Sequence, residues 1–174
     1  MIATERLLLR RWKPEDLEPF AAMNADPEVM QHFPSTLTRE QTAAGIKRVE
    51  AHFERYGWGL LAAEHEGAFI GYVGLFHVPF ESHFTPAVEI GWRLKRSHWN
   101  RGLATEAARA CLQFGFEKAG LQEIVSFTIP INLPSRRVME KIGMQHDAQG
   151  DFEHPKVPAG HPMRRHVLYR IKAR

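Results

Sequence analysis

The sequence predicts an α+β fold in which a central mixed, largely antiparallel sheet of about seven strands carries helices on both faces. Three observations lead there. Runs rich in aromatic and aliphatic residues alternate with stretches of helical spacing along all 174 residues, with no linker, repeat or low-complexity tract between them. Three strand-like runs crowd together between residues 57 and 94, most simply as an antiparallel meander. After residue 100, helix and strand alternate, which brings in the mixed part of the sheet.

Element by element, TERLLLRRW (4–12) reads as a first strand stopped by Lys13-Pro14. PEDLEPFAAMN then opens a helix with Pro14 in its first turn, where the missing N–H costs nothing. Asp26-Pro27-Glu28 repeats the device for a short second piece ending near His32-Phe33. Thr38 and Gln41 match a capping box, and Ile46, Val49, Phe53 and Tyr56 follow at helical spacing, so an amphipathic helix is expected over 39–56. GWGLLAAEHEGAFIGYVGLFHV and AVEIGWRL supply the meander, broken at Glu66-Gly67 and around Pro79–Pro86. Within it, Gly71 and Gly74 are expected to relieve crowding. Residues 101–118 form the central helix, with Leu103, Ala107, Cys111 and Phe114 along one face and Gly120 as its stop. QEIVSFTI is a strand. PSRRVMEKIG is a short helix with Pro134 early and Gly143 past its end. GMQHDAQG and HPMRRHVLYRIK are two strands around the loop DFEHPKVPAGHP.

Composition narrows the classes. The length suits one domain with a substantial core, read here as 1–174. No apolar run approaches the ~20 residues that span a bilayer. MIATERLLLRRW carries charges inside its apolar run and no small-residue cleavage site, so no signal peptide is read there. The single cysteine, Cys111, excludes an internal disulfide, fits a cytoplasmic location and reads as a buried thiol without a neighbouring base. A net charge of +3 is mildly basic, and although RRHVLYRIKAR is denser, no nucleic-acid motif accompanies it. His154, His161 and His166 fit no standard metal-ligand spacing, and no metal is expected.

The informative stretch is HWNRGLATE (98–106), which follows the strand VEIGWRL (88–94) and opens the central helix. The first N–H groups of a helix lack internal partners and carry the positive end of its dipole. A glycine there lets a ligand approach the backbone, and a phosphate is the natural guest. Neither a three-glycine dinucleotide fingerprint nor a Gly-Lys-Ser/Thr loop is present.

These residues together resemble the GNAT superfamily of acetyl-CoA-dependent N-acetyltransferases, in the branch of the ribosomal-protein alanine acetyltransferases. The likeness runs from TERLLLR to VLYRI. The superfamily's pyrophosphate motif falls on Trp99, Gly102 and Ala104, with Trp99 in place of the usual Arg or Gln, a departure familiar in this branch. EIGWRL resembles the strand whose backbone pairs with the pantetheine arm, and Asn132 and Ser135 resemble the branch's Asn-x-x-Ser. The resemblance implies that Trp92, Arg93, Leu94, Trp99, Asn100, Arg101, Gly102, Leu103, Ala104, Thr105, Asn132 and Ser135 bind acetyl-CoA. It also implies direct transfer in a ternary complex. The acceptor, a small amine or a protein N-terminus, would bind between residues 26–36 and the DFEHPKVPAGHP loop.

For the chemistry, the tyrosine that many superfamily members use as acid aligns with Met139, which has no proton to give; Ser135 either replaces it or caps its helix. Glu89 alternates away from Val88 and Ile90, so it either activates the amine through water or pairs with Arg93 on its own face. His77, His83 and His98 are further candidate bases. A catalytically idle acyl-CoA sensor is the alternative function. The oligomeric state is left open, a homodimer being compatible.

Overall fold

The computed structural model of the protein describes residues 1–173. Nine strands form the sheet: β1 (Ile2–Ala3), β2 (Leu7–Arg10), β3 (Leu60–His65), β4 (Ala68–His77), β5 (Val88–Leu94), β6 (Glu123–Thr128), β7 (Gln145–His146), β8 (Phe152–Glu153) and β9 (Arg165–Lys172). The helices are α1 (Leu17–Ala25), α2 (Arg39–Tyr56), α3 (Leu103–Glu117) and α4 (Leu133–Lys141). The strand order is β1-β2-β3-β4-β5-β6-β9-β7, with β8 on β9. Every pairing is antiparallel except β5 with β6. The mixed, largely antiparallel sheet is therefore the expected one.

The two additional strands have local causes. The expected strand over 4–12 is found as Leu7–Arg10, and residues 2–3 before it add a strand: Thr4 closes a turn, its N–H donating to the Leu7 carbonyl at 2.9 Å, so β1 and β2 form a tight hairpin. Past residue 150, Phe152 and Glu153 pair with β9 and add a short arm. The expected helical piece after Asp26 is instead a pair of turns, closed by Met30 N–H on the Asp26 carbonyl at 3.0 Å and Phe33 N–H on the Met30 carbonyl at 2.9 Å. Pro34 follows at once and disfavours continuation. The helix over 39–56 starts on the capping box read from the sequence: Thr38 Oγ1 accepts from Gln41 N–H at 3.1 Å, and Gln41 Oε1 accepts from Thr38 N–H at 2.8 Å.

Among the described residues, three clusters of buried side chains pack the sheet, one of them Phe84, Val125, Phe152 and Leu168 beside β6 and β9. Leu103, Ala107 and Cys111 of α3 and Met139 of α4 are buried with Leu9, Val73, Leu75, Ile90 and Leu94 of the sheet. On the other face, Phe20 and Met23 of α1 pack against Ala62 and Phe69, and α2 lies along α1. A buried Arg10 guanidinium fastens α1 to the sheet, donating to both Asp16 oxygens at 2.8 and 2.9 Å and to Glu64 at 2.7 Å.

The middle of the sheet positions the site. β5 pairs with β4 along its whole length, from His77 opposite Val88 to Gly71 opposite Leu94. The second edge of β5 meets β6 at a single register, Glu89 opposite Val125, and beyond it the two parallel strands part. The Ser126 hydroxyl, donating to the Ile90 carbonyl at 2.9 Å, marks the last tie before the opening. Close packing on the β4 side depends on Gly71: with φ +137°, any Cβ there would lie 2.0 Å from the Arg93 carbonyl oxygen.

Candidate active site

Strand parity decides which backbone groups face the opening. Lys95 N–H donates to the Ile70 carbonyl, on the β4 side. The carbonyls of Ile90 and Leu94 point the other way, where they accept from the Ser126 hydroxyl and from the Trp99 indole at 2.8 Å. The same alternation directs the N–H and C=O of Trp92 into the opening, while the backbone of Arg93 faces β4. Within the run 92–94, it is thus Trp92 and Leu94 that offer backbone to an added strand-like guest. Trp99 has a structural task the sequence did not show, clipping the end of β5 to the loop that leads into α3.

That loop delivers an uncapped helix start. Asn100 and Gly102 both take positive φ, 57° and 76°. Gly102 is the N-cap residue without a side-chain cap, and the first helical hydrogen bond runs from Glu106 N–H to the Gly102 carbonyl at 3.0 Å. The N–H groups of Leu103, Ala104 and Thr105 have no partner among the described residues. A Cβ at Gly102 would meet only Arg6 Nη2 at 3.6 Å, an ordinary contact, so the left-handed backbone is what requires glycine. Arg101 is exposed beside it. A second cation, Arg6, was not singled out in the sequence, which places it on a different element. It donates to the Arg101 carbonyl at 2.9 Å and to Glu106 at 2.7 Å, tying the first hairpin to α3.

At the far side of the opening, Asn132 is the N-cap of α4. Its Oδ1 accepts from Ser135 N–H at 3.4 Å and its Nδ2 donates to Thr128 Oγ1 at 2.9 Å, so both ends of this buried amide hold the loop. Because Asn132 does the capping, the Ser135 hydroxyl has no hydrogen bond among the described residues and stays half-buried. Met139 is buried in the core.

Glu89, Gly91 and Arg93 share the face of β5 opposite to Val88, Ile90 and Leu94, with Phe76, Gly74 and Tyr72 across from them on β4. Arg93 does not pair with Glu89. Its guanidinium donates through Nη1 to Asn24 Oδ1 of α1 at 2.6 Å and stacks 4.4 Å over the ring of Phe33. Glu89 makes no ion pair and no side-chain hydrogen bond among the described residues. Burial pushes its carboxyl up to about 7, against a partial downward pull from the charge of Lys156 on the loop after β8. Between them, a Cβ added at Gly91 would find nothing within 4 Å. A mid-strand glycine over open space, with ordinary extended backbone, marks where another molecule can come close.

The remaining candidates fall elsewhere. His77, opposite Val88 at the start of β5, accompanies His52, their Nδ1 and Nε2 at 2.9 Å. His83 Nε2 bonds the Gly150 carbonyl at 3.0 Å. His98 sits against His65, with rings 5.5 Å apart. The rings of His154 and His166 lie 4.9 Å apart, tilted at 50°, and burial pushes His154 down to about 4. The Cys111 thiol, buried under α3, is pushed up to about 12 and is inert.

A strand pair that opens after one register, an uncapped helix at the end of that strand and a lone carboxylate beside open backbone are the parts an acyl-transfer site needs. Comparison with known proteins gives the same answer. The acetyltransferase (GNAT) domain family matches residues 6–145. The chain is 34% identical to Bacillus subtilis YkkB over 148 residues, 83% of this chain and 85% of that one. It is 32% identical to the uncharacterised B. subtilis N-acetyltransferase YnaD over 148 residues, 84% and 83% of the two chains. A GNAT-family acetyltransferase from Bacillus anthracis superposes with a TM-score of 0.79 at 31% identity, over 98% of this chain and 97% of that one. No helix among the described residues is long and apolar enough to cross a membrane. The protein belongs to the GNAT acetyltransferase family and is an N-acetyltransferase.

Proposed function

We propose that the protein moves an acetyl group from acetyl-CoA to a primary amine, a protein N-terminus or a small molecule, by direct attack in a ternary complex in the cytoplasm. The observation that carries this reading is the juxtaposition on β5: unpaired Trp92 backbone at the opening, open space over Gly91, and a carboxyl raised toward neutrality at Glu89. The residues fit the donor. Its pyrophosphate matches the free N–H groups of 103–105 and the exposed Arg101, and its pantetheine amides match the backbone of Trp92 and Leu94. Bound there, acetyl-CoA supplies an acyl carbon activated as a thioester.

The chain's own groups do the rest. Glu89 accepts the proton that the acceptor amine must lose, directly or through one water. The Trp92 N–H, aimed into the opening, donates to the acyl oxygen as charge gathers on it. Ser135, with its hydroxyl uncommitted, is placed on the far wall to deliver a proton to the leaving sulfur. With a thiol pKa of ~8.5 this help is modest, since the thiolate leaves readily by itself. Asn132 positions Ser135. Ribosomal-protein alanine-type acceptors are the branch expectation, carried by Asn132-x-x-Ser135 and Trp99.

The test is thiol release from acetyl-CoA across a panel of amines and short peptides, with product identified by mass. Turnover with one class of amine supports the reading. CoA-dependent thermal stabilisation without turnover of any amine would make the protein an acyl-CoA sensor.

A further inference from the structure

Arg93 is a charged side chain without a counter-ion. It forms no ion pair among the described residues, and its Nε–H is buried without a hydrogen-bond partner. What surrounds it is neutral: the Asn24 amide, itself fully buried and held by its own bond to Thr42 Oγ1 at 3.0 Å, and the rings of Phe33 and Tyr72 at 4.4 and 5.5 Å. The nearby acids are engaged elsewhere. Glu28 pairs with Arg96, and Asp26 Oδ1 accepts from Glu28 N–H at 2.9 Å. A buried donor left without a partner is costly, and an unpaired guanidinium in a protein wall adds nothing to stability by itself.

Its position gives it a use. Arg93 stands two residues from Gly91 on the same face of β5, about 6–7 Å along the strand from the open space where the acceptor amine reacts. Glu89 stands the same distance on the other side. One face of one strand thus presents a carboxyl, a gap and a guanidinium, with opposite charges kept apart instead of paired. Phe33, partly exposed, forms the wall beside the guanidinium. The Nη1 corner of Arg93 is held by Asn24, which leaves the Nε–Nη2 edge, the fork that suits a planar carboxylate.

Resting on the acetyl-transfer reading above, we infer that the acceptor carries a carboxylate, and that Arg93, fixed by Asn24 and Phe33, binds it while the amine lies over Gly91 beside Glu89. The substrate class is an amino-acid-like zwitterion, whose two charges match the two ends of this face.

The test compares kcat/KM for matched acceptors with saturating acetyl-CoA: α-amino acids and ω-amino acids of three to five carbons, each against its own carboxamide. The wild type should prefer the acid over the amide by about 10- to 100-fold, the range of a charge-assisted hydrogen bond. In Arg93→Gln that ratio should fall to near one, through KM more than kcat, and Arg93→Lys should restore part of it. The ω series then reads out the amine-to-carboxylate spacing. Equal use of acid and amide by the wild type overturns the inference while leaving acetyl transfer intact. So does an Arg93→Gln protein that loses acid and amide turnover in the same proportion, because Arg93 would then only pin the 27–33 segment. Failure to acetylate any amine overturns the acetyl-transfer reading and this one with it.

Discussion

Glu89 is the most exposed point of the proposed mechanism, and Glu89→Gln tests it in two currencies at once. The substitution keeps the shape of a side chain with no partner among the described residues, so it removes a charge and little else. In rate, the loss of a general base is worth ~10²–10⁴-fold. Because burial pushes this carboxyl up to about 7, the base is available only above that pH, and it is needed only while the amine is still ammonium. The deficit of the variant should therefore be largest between about pH 7 and the pKa of the acceptor, and shrink on both sides.

In stability the same carboxyl is a cost. Unfolded, it ionises near the usual 4.5; folded, it keeps its proton to about 7. Between those values the native state holds a proton that the unfolded chain has released, so stability falls as pH rises through the window and stays lowered above it. The full difference corresponds to about 3 kcal/mol, and partial contact of the side chain with solvent reduces this to about 1–2 kcal/mol. Glu89→Gln should thus melt about 3–6 °C above the wild type at pH 8, with the difference vanishing near pH 4.5. The assays are pH profiles of turnover with one saturating acceptor and of Tm by scanning calorimetry. A rate deficit that is constant across pH, or a Tm difference of the same size at pH 4.5 and pH 8, would refute the assignment.

Gly102→Val should lower Tm by a few degrees, because φ +76° strains any residue with a Cβ by about 1–2 kcal/mol, and should abolish the CoA-induced rise in Tm. That rise is worth about 2.7 kcal/mol in the wild type at a ligand concentration a hundred times Kd. Unaltered CoA affinity in the folded variant would remove the phosphate site from 102–105. Ser135→Ala should lower turnover at saturating CoA by less than about tenfold and leave CoA affinity in place; a change confined to CoA affinity would make the hydroxyl a binding group. Acid should weaken the fold, because burial holds His154, at about 4, the buried His52 and the half-buried His166 and His77 below the usual 6.5. The unfolded chain binds those protons first, so Tm should drop as pH falls from 6.5 toward 4, and His154→Phe should flatten that slope.

The sheet was legible because its strands are long apolar runs bounded by glycine and proline, and α2 was legible to the residue because Thr38 and Gln41 announce it. Residues 26–33 misled because Asp26-Pro27-Glu28 looks like a helix start, whereas Pro34 comes too soon for a helix to propagate. The helix start at 102–105 was readable from one glycine, since few other residues accept that backbone. Three features were out of reach. Asn24, Phe33 and Arg6 act through side chains from distant elements, and no periodicity encodes such meetings. The division of labour between Asn132 and Ser135 depended on which side chain caps α4, and both types are good caps. Whether Glu89 pairs with Arg93 turned on strand geometry: four residues apart in a strand is about 13 Å, too far for an ion pair without both side chains bending toward each other.

That separation is also what makes the site work as a site. A helix would have set Glu89 and Arg93 one turn apart and neutralised them. A strand places them on one face and out of reach, with Gly91 between as the gap. The fold then charges for the arrangement twice, once in a carboxyl raised toward neutrality and once in a guanidinium whose Nε–H has no partner among the described residues. A core under selection for stability alone would replace both by apolar residues of similar volume. Their presence on a strand that parts from its neighbour argues that the missing partners are supplied by what binds there. Each is then expected to show the same signature: substitution by Gln, which removes the charge, raises Tm in the absence of ligand and lowers kcat/KM in its presence. For Arg93→Gln the gain in Tm should be the smaller of the two, because the bond to Asn24 and the stacking on Phe33 already offset part of the cost. An Arg93→Gln protein markedly less stable than the wild type would show that the guanidinium is there to hold α1 against the sheet.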